Sequence, residues 1–486
     1  MNLNSGTASL LSLPLLLCLF SGPALAQKGR PKDSAIKQYN RGIELSNQGR
    51  VQEAIEAYKQ AIRISPDFPE AYNNLANAYG KLGNYQEAVV TLTQAIKNKP
   101  DLPEARYNLG VAFGKLGRNQ DAIDAYMAAV HLRPGFAEAH YNLGLSLAAM
   151  GRNQEAVEAY KRALQARPAY AEASYSLGEA YVQLGNFRNA VLAFKQAIEI
   201  KSDYAEPVAG LGEAYAHLGL HQEAVEALNR ALRMGPATAE TMNNLGVSLF
   251  KLGRYKEAVA AYLEAVRIKP SYAEAYCNLG WAYDKLDQHK EALDAHTHAI
   301  QLKPGFAEAH YGAGVDHSML SQLQDAVDAY KRALRIKPDY LEAHNNLGVA
   351  YADLGRYEEA VSEYLLALKL KPDADQTYHN IAVAYSKLGR HPEAIEAYKQ
   401  VVRINPQSAE ALHDLGLGYA SAGHWQEAVD SFKKAVSIKP NLAQAHYGLA
   451  AAYLNLGNRA AAIEEYEALK KLDPNLASKL SQAIQQ

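Results

Sequence analysis

The stretch Leu341–Ala374 reads LEAHNNLGVAYADLGRYEEAVSEYLLALKLKPDA, and it decides the architecture. Leu347, Gly348 and Tyr351 share a helical face at i, i+1, i+4. After Gly355, a second face follows in Ala360, Tyr364, Ala367 and Leu368, at i, i+4, i+7, i+8. Glycine between the two accepts the positive φ of a helix C-cap without a Cβ penalty, and Pro372 stops the second helix. The same 34 residues recur along the chain. An alanine at the Ala360 phase stands at every thirty-fourth position from Ala54 to Ala462, thirteen copies without a slip. The turn glycine runs from Gly49 to Gly457, replaced only by Asp287 and Ser321, and the proline from Pro66 to Pro474, replaced only by Ser202. A fixed period of this size predicts a solenoid, each unit contacting only its neighbours.

The thirteen units occupy residues 35–476 of 486, which leaves almost no room for a catalytic domain. Residues 1–26 read as a signal peptide: Leu10–Phe20 is apolar apart from Ser12 and Pro14, and Ala24-Leu25-Ala26 is a small-x-small site with cleavage expected after Ala26. The apolar run is well short of the roughly 20 residues a membrane span needs. Met1–Ser9 lacks the basic residues such a segment normally carries, and Leu15-Leu16-Leu17 ahead of Cys18 lack the small residue of a lipid-attachment site. Export to the periplasm or the outside is the expectation. Residues 27–34 form a short polar leader with Lys28, Arg30 and Lys32; residues 477–486, with Leu480 and Ile484 one turn apart, read as a capping helix.

With 50 Lys+Arg against 52 Asp+Glu, no basic stripe is available for nucleic acid. Two cysteines, Cys18 and Cys277, support neither a disulfide framework nor a cysteine-rich metal site. No phosphate loop, H-E-x-x-H, C-x-x-C or G-x-S-x-G occurs, so no enzyme and no cofactor are expected.

Several phases read as packing. Gly42, Gly110, Gly144, Gly178, Gly246, Gly280 and Gly348 on the first helices are expected to face the recurring alanines. Tyr79, Tyr181, Tyr283 and Tyr351, with Tyr58, Tyr126, Tyr160 and Tyr330, supply bulk around that joint. Asp67-x-x-Glu70, Asp101-x-x-Glu104, Ser271-x-x-Glu274 and Asp339-x-x-Glu342 read as capping boxes. Lys99, Arg133, Arg167, Lys303 and Lys439 are expected in the last turn of the second helices, complementing the macrodipole.

This spacing resembles the tetratricopeptide repeat (TPR) family, whose motif is matched by Leu347, Gly348, Tyr351, Gly355, Ala360, Tyr364, Ala367 and Pro372, and by Tyr276, Leu279, Gly280, Tyr283, Ala292, Ala299 and Pro304. The resemblance covers all thirteen units. It implies an all-α, right-handed superhelical solenoid of antiparallel helix pairs, with first helices lining a concave groove. Within the family, the arrangement is most similar to the repeat domain of the O-linked N-acetylglucosamine transferase, without its catalytic domain.

On that resemblance an asparagine row faces the groove: Asn40, Asn74, Asn108, Asn142, Asn244, Asn278, Asn346 and Asn380, interrupted by Ser176, Gly210, Gly312, Asp414 and Gly448. A carboxamide both donates and accepts, so it is suited to gripping the backbone of an extended peptide whatever its sequence. The competing reading is that asparagine is simply a common, soluble choice at that phase. Beside the row run Tyr107, Tyr141 and Tyr175, and four positions further in phase Val111, Leu145, Val247, Trp281, Val315, Val349 and Val383, as apolar pockets or as core. Trp281 is the sharpest single candidate.

Units eight and nine depart together: His296 and His317 replace tyrosines, Ala313 replaces leucine, and His289, His298 and His310 stand nearby. His310 and His317 share a helix face, but no carboxylate or cysteine stands with them at ligand spacing, so no metal is expected. The residues favour a monomeric, non-enzymatic adaptor for protein or peptide partners. A recognition subunit of a glycosyltransferase, or a self-assembling scaffold, are the alternatives.

Overall fold

The computed structural model describes residues 31–485, so the signal segment and its cleavage site lie outside the described residues. Among the described residues there are 27 helices and no strand. They form thirteen antiparallel pairs, from α1 (Asp33–Asn47) with α2 (Val51–Ile64) to α25 (Ala443–Asn455) with α26 (Arg459–Leu472), followed by α27 (Pro474–Gln485). The chain divides into two compact units, one ending at Ile268 and one beginning at Lys269. In each, every helix packs on its sequence neighbours, so the core is a row of small joints rather than one centre.

The turn inside each pair follows from one residue. The eleven turn glycines have φ between +69° and +80°. The residue after each closes back on the first helix, as Arg50 N–H does on the Leu45 carbonyl at 2.9 Å. Asp287 and Ser321 adopt the same left-handed backbone, at φ 58° and 59°, although they carry a Cβ.

The joint between paired helices differs in detail from the expectation. The first-helix glycines meet the ring four residues beyond the recurring alanine: a Cβ on Gly144 would lie 2.5 Å from the Tyr160 ring, and one on Gly178 2.5 Å from Phe194. Those rings, with Tyr58, Tyr330 and Phe432, are fully buried.

Two charge rows are corrected. The N-caps of α3 (Pro69–Lys81), α5 (Pro103–Lys115), α15 (Ala273–Asp284) and α19 (Leu341–Asp353) are Phe68, Leu102, Tyr272 and Tyr340, without a side-chain cap bond, so the capping boxes do not form. Helix starts there lie one residue beyond the place a box requires. Glu104, Glu138, Glu274 and Glu410 instead pair with Arg133, Arg167, Lys303 and Lys439. Those cations stand at the cap residue past the last helical turn, and stacking places Arg133 over Phe136 and Arg167 over Tyr170, each 4.9 Å from the ring centre. Finally, α27 starts at Pro474 rather than 477, because Asp473 accepts from the Asn475 and Leu476 amides at 3.0 Å and proline suits the first helical position.

Candidate functional site

The asparagine row is mostly interior. Asn74, Asn108, Asn142, Asn244 and Asn278 are buried, each at most 4 % exposed, while Asn346 and Asn380 are half-buried. Asn74 donates to the Tyr39 hydroxyl at 2.9 Å, Asn142 to Tyr107 at 3.0 Å and Asn346 to Tyr311 at 3.0 Å, each partner one unit upstream. Asn108 donates to the side-chain Oδ1 of Asn73 at 2.9 Å. The row also lies beside the ring 16 residues earlier, with Asn142 next to Tyr126, Ser176 next to Tyr160 and Asn346 next to Tyr330. Where that ring has no hydroxyl, glycine admits it directly, as Gly210 does Phe194, Gly312 does His296 and Gly448 does Phe432. The three glycine interruptions of the row therefore have a packing cause. Asn74, Asn108, Asn142, Asn244 and Asn278 are all buried rather than open to a ligand, and in Asn74 and Asn142 the expected backbone-gripping amide is used as a clamp on the hydroxyl of a tyrosine one unit upstream, because a buried hydroxyl needs a polar partner.

The tyrosines beside the row are clamped similarly. Tyr107 is buried, its ring centre 5.8 Å from Tyr126 and 5.0 Å from Phe136. Tyr141 and Tyr175 are half-buried in the same arrangement, against Tyr160 with Tyr170 and against Phe194 with Tyr204. Trp281 is half-buried too, edge-on to His296 at 5.0 Å and tilted on Tyr311 at 5.8 Å.

What remains open is the apolar row four positions on, in the second unit. Val349 on α19, Val383 on α21 (Asp375–Lys387) and Leu417 on α23 (Ala409–Ser421) are 39 %, 38 % and 44 % exposed, whereas Val111 and Val247 at the same phase of the first unit are buried. Asn346, Asn380 and Asp414 lie one turn before them on the same helices. Beyond Leu417 the row position falls to Ala451, and its small side chain leaves a cavity of about 230 Å³ lined by Leu417, Trp425, Phe432, Tyr447 and Leu476 among others. Sequence reading named Val349 and Val383 but not Leu417 or this cavity; the signal available was the shrinkage to alanine at the last copy.

Asp414 anchors the polar side. His379 Nδ1 lies 3.3 Å and His413 Nδ1 3.1 Å from its two oxygens. Burial works against its charge, yet the hydrogen bonds from both imidazoles hold its carboxyl down to about 2 and raise His379.

A second titratable group, unsuspected from spacing, sits in units eight and nine. His296, Asp284 and Asp316 present ligand atoms all within 4.8 Å of one another. Carboxylates therefore do stand beside a histidine of this stretch, though beside His296 rather than His310 or His317. His310 instead bonds the Pro304 carbonyl at 3.0 Å and His317 the Gln322 side chain at 2.7 Å.

Models of the tetratricopeptide repeat match residues 73–137, 107–171, 141–205 and 175–238, then 273–306, 339–407, 376–441 and 419–485, and TPR repeat models match 47–83, 246–287 and 320–355. The chain belongs to the tetratricopeptide repeat family. Among solved structures, this TPR protein is similar to MamA, at 30 % identity over 36 % of this chain and 95 % of that one, with a TM-score of 0.34. It is similar to YrrB, described as a TPR protein with an unusual peptide-binding site, at 25 % identity over 38 % and 96 %, TM-score 0.34. Cut9–Hcn1 of the APC/C shares 16 % identity over 93 % and 96 %, TM-score 0.38. No curated protein matches the chain. Among the described residues, no helix is long and apolar enough to cross a membrane.

Proposed function

We propose that this TPR protein is a non-enzymatic, monomeric adaptor that holds an extended segment of a partner protein on the first-helix face of α19, α21 and α23. One observation carries the reading: an apolar row that is buried at Val111 and Val247 opens at Val349, Val383 and Leu417 and runs into an apolar cavity. Exposed apolar side chains rimmed by polar groups mark interaction surfaces. Side chains of an extended ligand dock on the row, an apolar anchor enters the cavity, and Asn346 and Asn380 supply the polar contacts that set direction. This narrows the ladder of the O-linked N-acetylglucosamine transferase repeat domain to its two half-buried members. The near-balance of charge fits a protein ligand better than nucleic acid. The adaptor works outside the cytoplasm, on the strength of Leu10–Phe20 and the Ala24-Leu25-Ala26 site. Selection from a random displayed-peptide library on the full mature chain tests it. The expected outcome is enrichment of peptides with spaced apolar residues; no enrichment, or enrichment of uniformly basic or acidic peptides, contradicts it.

A further inference from the structure

The repeat itself supplies the control for a second site. At the phase of Asp316, neighbouring units carry Ala282, Ala350 and Ala384; at the phase of Asp284 they carry Phe250, Ser318 and Ala352; at the phase of His296 they carry Tyr262, Tyr330 and Tyr364. Three interior positions thus become ionisable within one joint, and the fold brings all three together. Asp284 ends α15, His296 lies in the middle of α16 (His289–Leu302), and Asp316 lies on α17 (Ala307–Met319).

The side chains of His296 and Asp316 are both 0 % exposed, with His296 Nδ1 2.7 Å from Asp316 Oδ2. Asp316 Oδ1 and Asp284 Oδ2 are buried with no N–H or O–H donor facing them, and the two carboxyls lie beside each other, so they meet only through a proton or a cation. The other oxygen of Asp284 faces His289 Nδ1 at 3.1 Å, and His289, at 22 % exposure, forms the solvent-side rim. Were both carboxyls ionised beside a neutral imidazole, two negative charges would stand in an apolar joint, a costly state that either a shared proton or a bound cation relieves. A fully buried carboxylate with an oxygen aimed into the cluster and no donor facing it is the geometry of an awaiting ligand.

We infer that Asp284, His296 and Asp316 form a site for one divalent transition ion of the zinc class. The imidazole nitrogen is the donor that selects such an ion, the two carboxylate oxygens are ligands it also accepts, and a site of three protein ligands keeps a fourth position for water. Magnesium and calcium are disfavoured, since they take oxygen ligands and more of them. Asp284–His289 would act as the outer hydrogen bond that orients a ligating carboxylate. The ion would tie α15, α16 and α17 across the joint between units eight and nine, where both turn glycines are missing.

Cobalt(II) titration of the full mature chain after chelator treatment tests this, read by ligand-field absorption and by displacement with zinc. Asp316→Ala and His296→Tyr install residues the other units already use, so both variants should keep their helix content by circular dichroism. The wild type should take up one cobalt with a ligand-field band that zinc removes. Each variant should weaken that binding by at least about 10–100-fold, the loss known for removing even an outer-shell partner. Wild-type uptake no tighter than that of Asp316→Ala overturns the site and leaves the three groups as a proton-sharing network.

Discussion

Single glycines in this chain do opposite jobs, which substitution separates. Gly144 on α7 (Ala137–Ala149) has the Tyr160 ring 2.5 Å from where a Cβ would stand, while Gly114 on α5 has nothing within 4 Å. Gly144→Ala should therefore cost about 1–3 kcal/mol by overpacking. Gly114→Ala should stabilise by up to about 1 kcal/mol, since alanine is the better helix former. Urea unfolding of both variants checks the contrast; equal effects would mean that the ring moves aside freely. The asparagines show the limit of reading at this scale. Their phase was plain in the sequence, but their direction was not, because it depends on what the neighbouring units place around each amide. Tyr126 with Asn142 and Phe194 with Gly210 show that dependence.

At the scale of helices and turns, the period carried nearly everything: pairing, turn positions and helix stops all follow from glycine, alanine and proline phases. The cap boxes failed because Pro69, Pro103, Ala273 and Leu341 begin their helices one residue late. His296 was marked by its departure from the unit's pattern, but Asp284 and Asp316 escaped notice beside it because the three sit on three different helices. The two turns without glycine are strained. Asp287→Gly and Ser321→Gly should each raise stability by about 1 kcal/mol, relieving the left-handed backbone at φ 58° and 59°. A calorimetric Tm that falls in either variant would contradict this. A pH effect belongs to this scale as well. Burial raises Glu179 on α9 (Ala171–Gln183) to about 8, with the Glu213 charge adding, and raises Glu213 on α11 (Ala205–His217) to about 7. The folded chain then holds protons that the unfolded chain releases from about 4.5 upward. Their contribution is whole below that value and is lost as pH rises through 7 to 8. Glu179→Gln should match the wild-type Tm near pH 4 and exceed it increasingly up to pH 8.5; a constant difference across that range would refute the assignment.

For the whole molecule, regularity and function part company. The constant alanine, glycine and ring phases make the joints, and they are similar throughout. One row varies along the chain: it is buried at Val111 and Val247, half-buried at Leu145, Trp281 and Val315, and open at Val349, Val383 and Leu417. If that row is the docking face and the buried asparagines are a clamp, affinity and stability must respond to different substitutions. The direct measurement is the affinity of one library-selected peptide, with Tm, for wild type, for Val349→Asp/Val383→Asp/Leu417→Asp and for Asn108→Ala/Asn142→Ala. The row variant should lose roughly tenfold or more in affinity at nearly unchanged Tm, as expected for removing anchors at a binding hot spot. The asparagine variant should lose Tm and keep its affinity. Unchanged affinity in the row variant, with peptide binding lost in a stably folded asparagine variant, would contradict the account.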